Sequence, residues 1–387
     1  MAPIRVGIIG LSASGTSGTS WAEKAHLDYL RASPKYTVTA VCNSSVASAE
    51  KAIKTFELGA DAKAYGNPED IANDPNVDLV VVVTRVDKHA GGIVPALRAG
   101  KDVFCEWPLV RNVAEAEEVA KLAREKRVRT MVGLQGHVAP VVNKVKELVE
   151  HGKIGNVLST TWIGSPSNGG AVEGKGVFYF TDREVGGNPL TIHFGHSIDY
   201  VLYALGEFES FNSLLAQQRK SVTIIDRATN EVVEKDRPKN TFDQMIVQGR
   251  LQSNSDPKPV LSYHMRGGDA FPSDPKLIWR VYGSTGEIQV TASGPSLSVG
   301  YPDTELKLFD AESEKVEEVE LEKSDFFDSL PLLGRNIGRL YEAFADGKGG
   351  YPDFEHALKR HRLLDEMERR ADGGSQLLGA EYLKAKV

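Results

Sequence analysis

The chain opens with Ile4-Arg5-Val6-Gly7-Ile8-Ile9-Gly10 and continues as Leu11-Ser12-Ala13-Ser14-Gly15-Thr16-Ser17-Gly18-Thr19-Ser20 before a helical pattern begins at Trp21. The apolar run predicts a strand that ends at Gly10, and a loop rich in Ser, Gly and Thr follows. Between a strand and a helix, such a loop can present backbone N–H groups and a helix N-terminus to a pyrophosphate. The spacing departs from G-x-G-x-x-G, because Ser12 stands at the second glycine, so a flexible surface loop is the alternative.

The alternation of strands and helices continues to about residue 134. Strands are predicted at residues 38–42, 79–83, 103–104 and 130–134, and helices at 21–31, 47–56, 69–73, 90–99 and 114–126. The segment from Leu79 to Val83 is continuously apolar, as expected of a strand that helices cover on both faces. This order predicts an α/β fold whose first domain, residues 1–135, is a doubly wound parallel Rossmann sheet.

The pattern changes after Gly136. A helix is predicted at residues 141–151, and longer strands follow at 157–163, 241–251, 260–265, 277–282 and 287–291, interrupted by a helix at 196–205. These segments predict a C-terminal α+β domain, residues 136–387, with a large, open and mainly antiparallel sheet. The acidic stretch 312–323 is predicted to be solvated. Helices at 337–345 and 354–371 close the chain and pack either in this domain or back on the first one.

Length and composition limit the possible classes of protein. A chain of 387 residues favours two domains, and 41% hydrophobic with 26% charged residues is typical of a globular protein. The net charge of −7 gives no electrostatic reason to bind nucleic acid directly. With neither a signal peptide nor a run of 18 apolar residues, a cytoplasmic protein without membrane contact is expected. Cys42 and Cys105 are interpreted as reduced core thiols, and no metal is expected.

The end of the second strand bears on the choice of cofactor. Rossmann folds that bind NAD usually place Asp or Glu there to hold the ribose 2′-hydroxyl. This chain has Asn43-Ser44-Ser45, without a carboxylate, and hydroxyl groups can bind a 2′-phosphate. The segment therefore favours NADP, with NAD as the other possibility. A serine-rich loop that only caps the next helix is the alternative.

Several separate segments resemble the glucose-fructose oxidoreductase / inositol dehydrogenase family. They are Thr84-Arg85-Val86-Asp87-Lys88-His89, Cys105-Glu106-Trp107-Pro108-Leu109, the stretch from Gly186 to Asp199, and Pro352-Asp353-Phe354-Glu355-His356-Ala357. The resemblance spans nearly the whole chain and implies an NAD(P)-dependent oxidoreductase. The cofactor-binding residues that we predict are Gly10, Leu11, Ser12, Asn43, Ser44, Ser45, Thr84, Arg85, His89, Glu106, Trp107 and Gln135.

A narrower resemblance is to the branch of this family that contains the yeast galactose-regulon repressor. Among the segments that carry it are Gly10-Leu11-Ser12-Ala13, Glu106-Trp107 and Leu134-Gln135-Gly136. This branch implies a regulator that binds a nicotinamide dinucleotide and masks a transcription activator. The chain departs from the branch in its longer phosphate loop and in Pro108, which is closer to the enzymes.

The resemblance also identifies polar groups that the chain lacks. Trp107 stands where the family's Glu-Lys-Pro motif has the lysine that usually handles the proton beside the nicotinamide. An indole only donates a hydrogen bond and has no accessible pKa, so it cannot act as an acid or base. In the family's second signature, which the stretch from Gly186 to Asp199 resembles, the Asp position falls on Ile192, while the His position is kept as His196. Trp107 is expected to stack on the nicotinamide region or wall it off, with core packing as the alternative.

Histidines are the candidates for the missing acid–base group. His196, alone or with His193 three residues before it, is predicted to transfer the proton, and a structural role is the alternative. His137 follows the last Rossmann strand and is predicted to line the pocket at the carboxyl edge of the sheet. The aromatic segment Phe178-Tyr179-Phe180 is either a lid over the pocket or a hydrophobic anchor.

Two functions from different classes are therefore expected. The leading hypothesis is an NADP-preferring oxidoreductase of a small polar or carbonyl substrate, with an atypical proton donor. The alternative is a non-catalytic, dinucleotide-sensing regulator that binds a transcription activator, for which a nuclear location is possible. A third possibility is an enzyme that uses the bound cofactor without net redox turnover. A homodimer or larger closed assembly is predicted through the open sheet face of strands 241–291.

Overall fold

The structure is a computed structural model that describes residues 2–13, 20–347 and 349–373. Its strands are, in chain order, β1 (Ile4–Ile9), β2 (Tyr36–Cys42), β3 (Lys63–Tyr65), β4 (Leu79–Val82), β5 (Asp102–Cys105), β6 (Thr130–Val132), β7 (Val157–Gly164), β8 (Val172–Gly174), β9 (Phe208–Ala216), β10 (Ser221–Ile225), β11 (Val232–Pro238), β12 (Gln244–Leu251), β13 (Val260–Arg266), β14 (Leu277–Gly283), β15 (Gly286–Ala292), β16 (Glu305–Asp310) and β17 (Lys315–Glu318).

The α-helices are α1 (Asp28–Ala32), α2 (Val46–Thr55), α3 (Pro68–Ala72), α4 (His89–Arg98), α5 (Val113–Lys126), α6 (Pro140–Glu150), α7 (Gly195–Leu205), α8 (Asp325–Ser329), α9 (Leu332–Asp346) and α10 (Phe354–Asp372). Wider π-helical turns at Ala22–Leu27 and Leu190–Phe194 lead into α1 and α7. Tighter 3-10 turns lie at Val86–Lys88, Gln135–Val138, Lys175–Thr181 and Arg183–Val185.

The chain forms two compact units. Unit 1 contains the described residues up to Val138, together with Glu184–Gly187 and the described residues from Lys323 to His361. Unit 2 contains Ala139–Arg183, Asn188–Glu322 and the described residues from Arg362 to Gly373. Helix α8 and helix α9 therefore belong to unit 1, and α10 contributes to both units.

Unit 1 is built on a six-stranded sheet of the order β3-β2-β1-β4-β5-β6, in which all the paired strands are parallel. Its central strand β4 is buried along its whole length, because helices cover both faces of a parallel sheet. Polar side chains fix where the helices begin. Ser45 accepts a hydrogen bond from the backbone N–H of Ser48 at the start of α2, and Asn112 accepts one from Glu115 at the start of α5.

An aromatic cluster joins helix α9 to the first part of unit 1. The rings of Tyr29 and Tyr341 are stacked, with centroids 5.4 Å apart and an interplanar angle of 5°. Tyr36 and Phe104 meet the edge of the Tyr341 ring at 5.2 and 5.0 Å. The Tyr36 hydroxyl donates a hydrogen bond to the backbone carbonyl of Tyr341 over 2.6 Å. Residues near the end of the sequence thus complete the core of the N-terminal sheet.

Unit 2 is built on an eight-stranded sheet of the order β17-β16-β15-β14-β7-β13-β12-β9. The β7–β13 pair is parallel and the other pairs are antiparallel. One face buries large rings such as Trp162 and Trp279. The opposite face exposes Ile163 of β7, which is 56% exposed, and Tyr282 of β14. A separate three-stranded sheet has the order β11-β10-β8, and its strands fall between β7 and β12 in the sequence.

The predicted fold class is confirmed, since a parallel Rossmann sheet precedes a large, mainly antiparallel one. The sequence missed β3, β8, β9, β10, β11 and β16, which are short, or mix polar and apolar side chains. It also missed β17, which lies inside the acidic stretch and is exposed throughout, so the solvated interpretation was right about exposure and wrong about regular structure. Both cysteines are free and buried. Within the described ranges, none of the helices has the length and apolar character needed to cross a bilayer.

Candidate functional site: the carboxyl edge of the parallel sheet and a histidine pair in unit 2

The strand order of unit 1 reverses between β1 and β4, and in open α/β sheets ligands bind at such a switch point. Gly10 ends β1 at this point with φ of 105°. A Cβ on Gly10 would lie 2.4 Å from the backbone carbonyl oxygen of Val83, which follows β4. Only glycine therefore permits the two loops at the switch point to approach so closely.

The predicted phosphate loop is tied down at its beginning. Leu11 is fully buried, and its backbone carbonyl accepts a hydrogen bond of 2.7 Å from the side-chain amide of Asn43. The same Asn43 amide also donates to the carbonyl of Ser48 over 3.2 Å. Asn43 thus fastens the loop after β1 to the first turn of α2. Ser12 is half-buried, and residues 14–19 of the predicted loop lie outside the described residues.

The other two residues after β2 differ in what they contact. Ser45 caps α2, since its hydroxyl oxygen lies 3.2 Å from the backbone nitrogen of Ser48. Ser44 is exposed at the same corner of the sheet. The helix-capping alternative for this segment thus applies to Ser45, while Ser44 presents its hydroxyl group to the solvent.

The loop after β4 is held by His89. Its Nδ1 lies 2.9 Å from the carbonyl oxygen of Pro108, and its Nε2 lies 2.9 Å from that of Thr84. Burial lowers the pKa of His89, although these carbonyl groups act in the opposite direction. The ring therefore fixes the loops after β4 and β5 to each other. Arg85 is exposed and forms a two-pronged ion pair with Asp87, at 2.5 and 2.8 Å.

Glu106, at the end of β5, is the acceptor in a buried chain of hydrogen bonds. His26 Nε2 lies 2.9 Å from Glu106 Oε1, and His26 Nδ1 lies 2.9 Å from the Tyr341 hydroxyl. If the carboxylate is ionised, it accepts Nε2–H, and Nδ1 then accepts the hydroxyl proton of Tyr341. A Cβ on Gly133 would lie 2.7 Å from either Glu106 oxygen, so glycine at that position makes room for the carboxylate.

Trp107 is almost completely buried, at 4% exposure. Its ring packs on that of His361 in α10, with centroids 4.9 Å apart and an angle of 46° between the planes. Burial, and to a lesser extent the nearby His89, lowers the pKa of His361 to about 3. The ring contact of Trp107 with His361 is thus with a neutral side chain of its own unit.

The residues after β6 are also buried. Gln135 is 3% exposed, and within the described part of the chain its Oε1 has no hydrogen-bond partner. His137 lies in the same 3-10 turn, and its ring meets that of His356 edge to face at 4.6 Å. Burying the Gln135 oxygen without a hydrogen-bond partner costs free energy, and a ligand that donates a hydrogen bond to this oxygen would remove the cost.

The other two predicted histidines lie in unit 2, where they share one continuous helical stretch. His193 is in the π-helical turn before α7, and His196 is in the first turn of α7 itself. Burial, and to a lesser extent the neighbouring His196, lowers the pKa of His193 to about 4. His193 Nε2 lies 3.0 Å from Asn168 Oδ1. Phe180 meets the His193 ring edge to face at 5.9 Å, while Phe178 is 41% exposed.

The sequence motifs indicated the loops of the sheet edge and the two histidines of unit 2, but not the side chains that contact them. The missed residues are His26, Gly133, Asn168, Glu173, Tyr341 and His361. His26 and His361 sit inside helical patterns, where a histidine carries no signal of its partner. Asn168 precedes His193 by 25 residues, and no motif connects them.

The sheet order, the close glycine turn and the polar groups at one edge define a dinucleotide-binding α/β protein of the Rossmann type. Residues 4–134 match the family model described as an oxidoreductase family with an NAD-binding Rossmann fold, and residues 140–292 match the model of the Gal80p C-terminal domain. The chain belongs to the glucose-fructose oxidoreductase / inositol dehydrogenase family, as the sequence resemblance implied.

Similar proteins include both dehydrogenases and regulators. The chain is 31% identical to dehydrogenase aclE of Aspergillus oryzae, over 96% of this chain and 97% of that protein. It is 25% identical to the galactose/lactose metabolism regulatory protein GAL80 of Saccharomyces cerevisiae, over 97% and 94%. A solved structure of Gal80p from the same yeast, a super-repressor mutant, superimposes with a TM-score of 0.85 at 24% identity, covering 96% of this chain and 97% of that one.

Proposed function

We propose that the protein is an NADP-preferring oxidoreductase that acts on a small polar or carbonyl substrate without a catalytic lysine. The observation that carries this proposal is the approach of Gly10 to Val83 at the switch point of the parallel sheet. Such a turn lets backbone N–H groups approach a pyrophosphate closely. The full-length similarity to a dehydrogenase supports the same class of activity.

The residues around this turn fit a dinucleotide. Gly10, Leu11 and Ser12 would lie under the phosphates, and the exposed Ser44 would meet the adenine ribose and its 2′-phosphate. The buried and unpartnered Gln135 carbonyl group fits a ligand that brings an amide or hydroxyl donor to this edge. A bound nicotinamide supplies hydride transfer, and the protein has to supply the matching proton transfer.

His196 is our candidate for that proton transfer. Trp107 cannot titrate, and Ile192 has no acidic group, so the two usual partners of the reaction are absent from the chain. Imidazole groups transfer protons near neutral pH. His137 is assigned to the pocket wall, and His193 is the second histidine of the unit 2 pair.

The test is an absorbance assay of the reduced cofactor with sugars, carbonyl compounds and imines as substrates. We expect turnover with at least one class, and His196→Ala should lower kcat by roughly 10²- to 10⁴-fold with little change in NADP affinity. Turnover that survives His196→Ala would overturn the assignment of His196 and leave the enzyme in place. No turnover with any class would count against the enzyme itself.

The second candidate is a dinucleotide-sensing regulator that binds a transcription activator. It is favoured by the match of residues 140–292 to the Gal80p C-terminal domain and by the relatives named GAL80. A pull-down from the native host, with and without NADP, separates the two functions. Capture of a specific activator that depends on the dinucleotide, together with no turnover, would support the regulator.

The assembly and location follow from the same proposal. We propose a homodimer or larger closed assembly through the open sheet face of strands 241–291, which are β12 to β15, because that face exposes apolar side chains. The proposed location is the cytoplasm for the enzyme and the nucleus for the regulator. Neither function requires direct contact with nucleic acid or a membrane.

A further inference from the structure

His193 lies at the end of a short chain of hydrogen bonds inside unit 2. Its Nε2 is 3.0 Å from Asn168 Oδ1, and Asn168 Nδ2 is 2.7 Å from Glu173 Oε2. The second carboxylate oxygen of Glu173 accepts the backbone N–H of Gly169 over 2.5 Å. Glu173 is only 2% exposed, so these donors replace the water that its carboxylate has lost.

The Glu173 carboxylate determines which groups donate and which accept in this series of hydrogen bonds. An ionised carboxylate can only accept, so Asn168 must turn its N–H groups toward Glu173 and its carbonyl oxygen toward His193. That carbonyl also only accepts, so the proton of the neutral ring must sit on Nε2. The lone pair is then on Nδ1, for which no hydrogen bond to another described residue is found.

Burial and neighbouring groups affect the protonation of Glu173 and His193. Burial raises the pKa of Glu173, while Gly169, Asn168, Arg227 and Lys239 lower it. Burial lowers the pKa of His193 to about 4, with His196 acting in the same direction. The ring of His193 is thus neutral near pH 8. The assignment of donors and acceptors to Glu173, Asn168 and His193 holds at any pH at which Glu173 is ionised.

We propose that Asn168 and Glu173 are positioning residues that fix His193 as its Nε2–H tautomer, so that Nδ1 accepts a hydrogen bond from a donor group of the substrate. This proposal rests on the proposed function. It gives the two histidines different roles. His193 orients a substrate hydroxyl or amine group, and His196 transfers the proton. A substrate that offers only an acceptor at this point would meet the Nδ1 lone pair and bind less well.

The tautomer can be measured without any substrate. Nitrogen NMR of protein labelled with ¹⁵N-histidine reports which ring nitrogen carries the proton, and the signal that is lost in His193→Gln identifies this ring. At pH 8 we expect a single Nε2–H tautomer. In Glu173→Gln the Nδ1–H tautomer should appear. The backbone N–H of Gly169 keeps the amide oxygen, so the amide N–H groups face Asn168 and turn its carbonyl oxygen away from His193. A Nδ1–H ring or a mixture in the unaltered protein would overturn the proposal, whether or not the protein is an enzyme.

Kinetics test the binding role with the substrate found in the absorbance assay. Glu173→Gln and His193→Gln should each raise KM by up to about tenfold, the worth of one hydrogen bond, with kcat nearly unchanged. His193→Gln keeps an N–H donor for Asn168 but places no acceptor at the position of Nδ1, so it also serves if Glu173→Gln fails to fold. Glu317→Gln on the exposed strand β17 is the control. An unchanged KM in His193→Gln, with the Nε2–H tautomer present, would refute the binding role.

Discussion

Trp107 shows how burial limits the chemistry that a side chain can offer. It follows β5, and its ring is buried against His361. Neither ring can carry a charge at neutral pH, because an indole does not titrate and burial lowers the pKa of His361 to about 3. Trp107 therefore makes an uncharged contact with its neighbour at this position.

Restoring lysine at this position should therefore not restore the usual mechanism. Trp107→Lys would lose the packing against His361 and bury an ammonium group beside a neutral ring. We expect the free energy of unfolding to fall by about 3–5 kcal/mol, with no gain in kcat. Urea unfolding and the absorbance assay measure the two effects, with Trp107→Phe as the milder control. A stable variant with higher kcat would contradict this account of Trp107.

His361 should make the stability depend on pH. Its pKa is about 3 in the folded protein, against about 6.5 for an unfolded chain, so below pH 6.5 the unfolded state binds the extra proton. Stability is thus complete above pH 6.5 and is lost as the pH falls toward 3, with a loss of about 2 kcal/mol at pH 5 from this residue.

Urea unfolding between pH 8 and pH 5 tests this dependence. In His361→Gln the loss between pH 7 and pH 5 should be smaller by about 2 kcal/mol. Between pH 7 and pH 8 the difference in stability between the two proteins should stay constant, which provides an internal control. Parallel stability curves down to pH 5 would show that His361 is not held neutral.

At the scale of elements, the loops at the carboxyl edge of the parallel sheet are braced from the side. Asn43 ties the loop after β1 to α2, and His89 ties the loop after β4 to the loop after β5. Several residues predicted to touch the cofactor are therefore occupied with holding loops. Ser44 is exposed at the beginning of α2, and we propose that its hydroxyl group selects the cofactor.

A charge at Ser44 should reverse the preference for NADP. With the unaltered protein, NADP is expected to bind at least as well as NAD. Ser44→Asp should weaken NADP by roughly tenfold or more relative to NAD, because a carboxylate repels the 2′-phosphate. Titration calorimetry with both dinucleotides measures the ratio, and Thr55→Asp at the other end of α2 adds the same charge as a control. A tenfold preference of the unaltered protein for NAD would refute the prediction.

At the scale of the whole molecule, the large sheet of unit 2 leaves apolar side chains on its open face. Ile163 is 56% exposed, Tyr282 50% and Leu214 45%. Each lies on a different strand of that sheet, so they form part of one broad surface. Such a surface is expected to be covered in an assembly.

Light scattering of the unaltered protein should therefore give a mass of at least twice the 42.2 kDa of one chain. Ile163→Asp should shift the protein toward the monomer, because a buried unpaired carboxylate disfavours the interface. Val233→Asp, on the exposed strand β11, should leave the mass unchanged. A stable monomer of the unaltered protein at micromolar concentration would disprove the proposed dimer.

The sequence by itself determined the order of the elements and the class of fold. Apolar periodicity and turn residues are local signals, so the strand ending at Gly10 and the buried strand β4 were predicted within a residue or two. The short strand β3 and the exposed strand β17 were not, because their side chains give no alternating pattern.

Only the tertiary structure decided which side chains meet. Tyr341 reaches His26 across 315 residues, and Asn168 reaches His193 across 25, through hydrogen bonds that no spacing in the sequence announces. His89 and Trp107 could be placed at the edge of the sheet from their motifs, but their partners could not. A hydrogen bond depends on distance and direction in space, and the chain fixes those only when it packs.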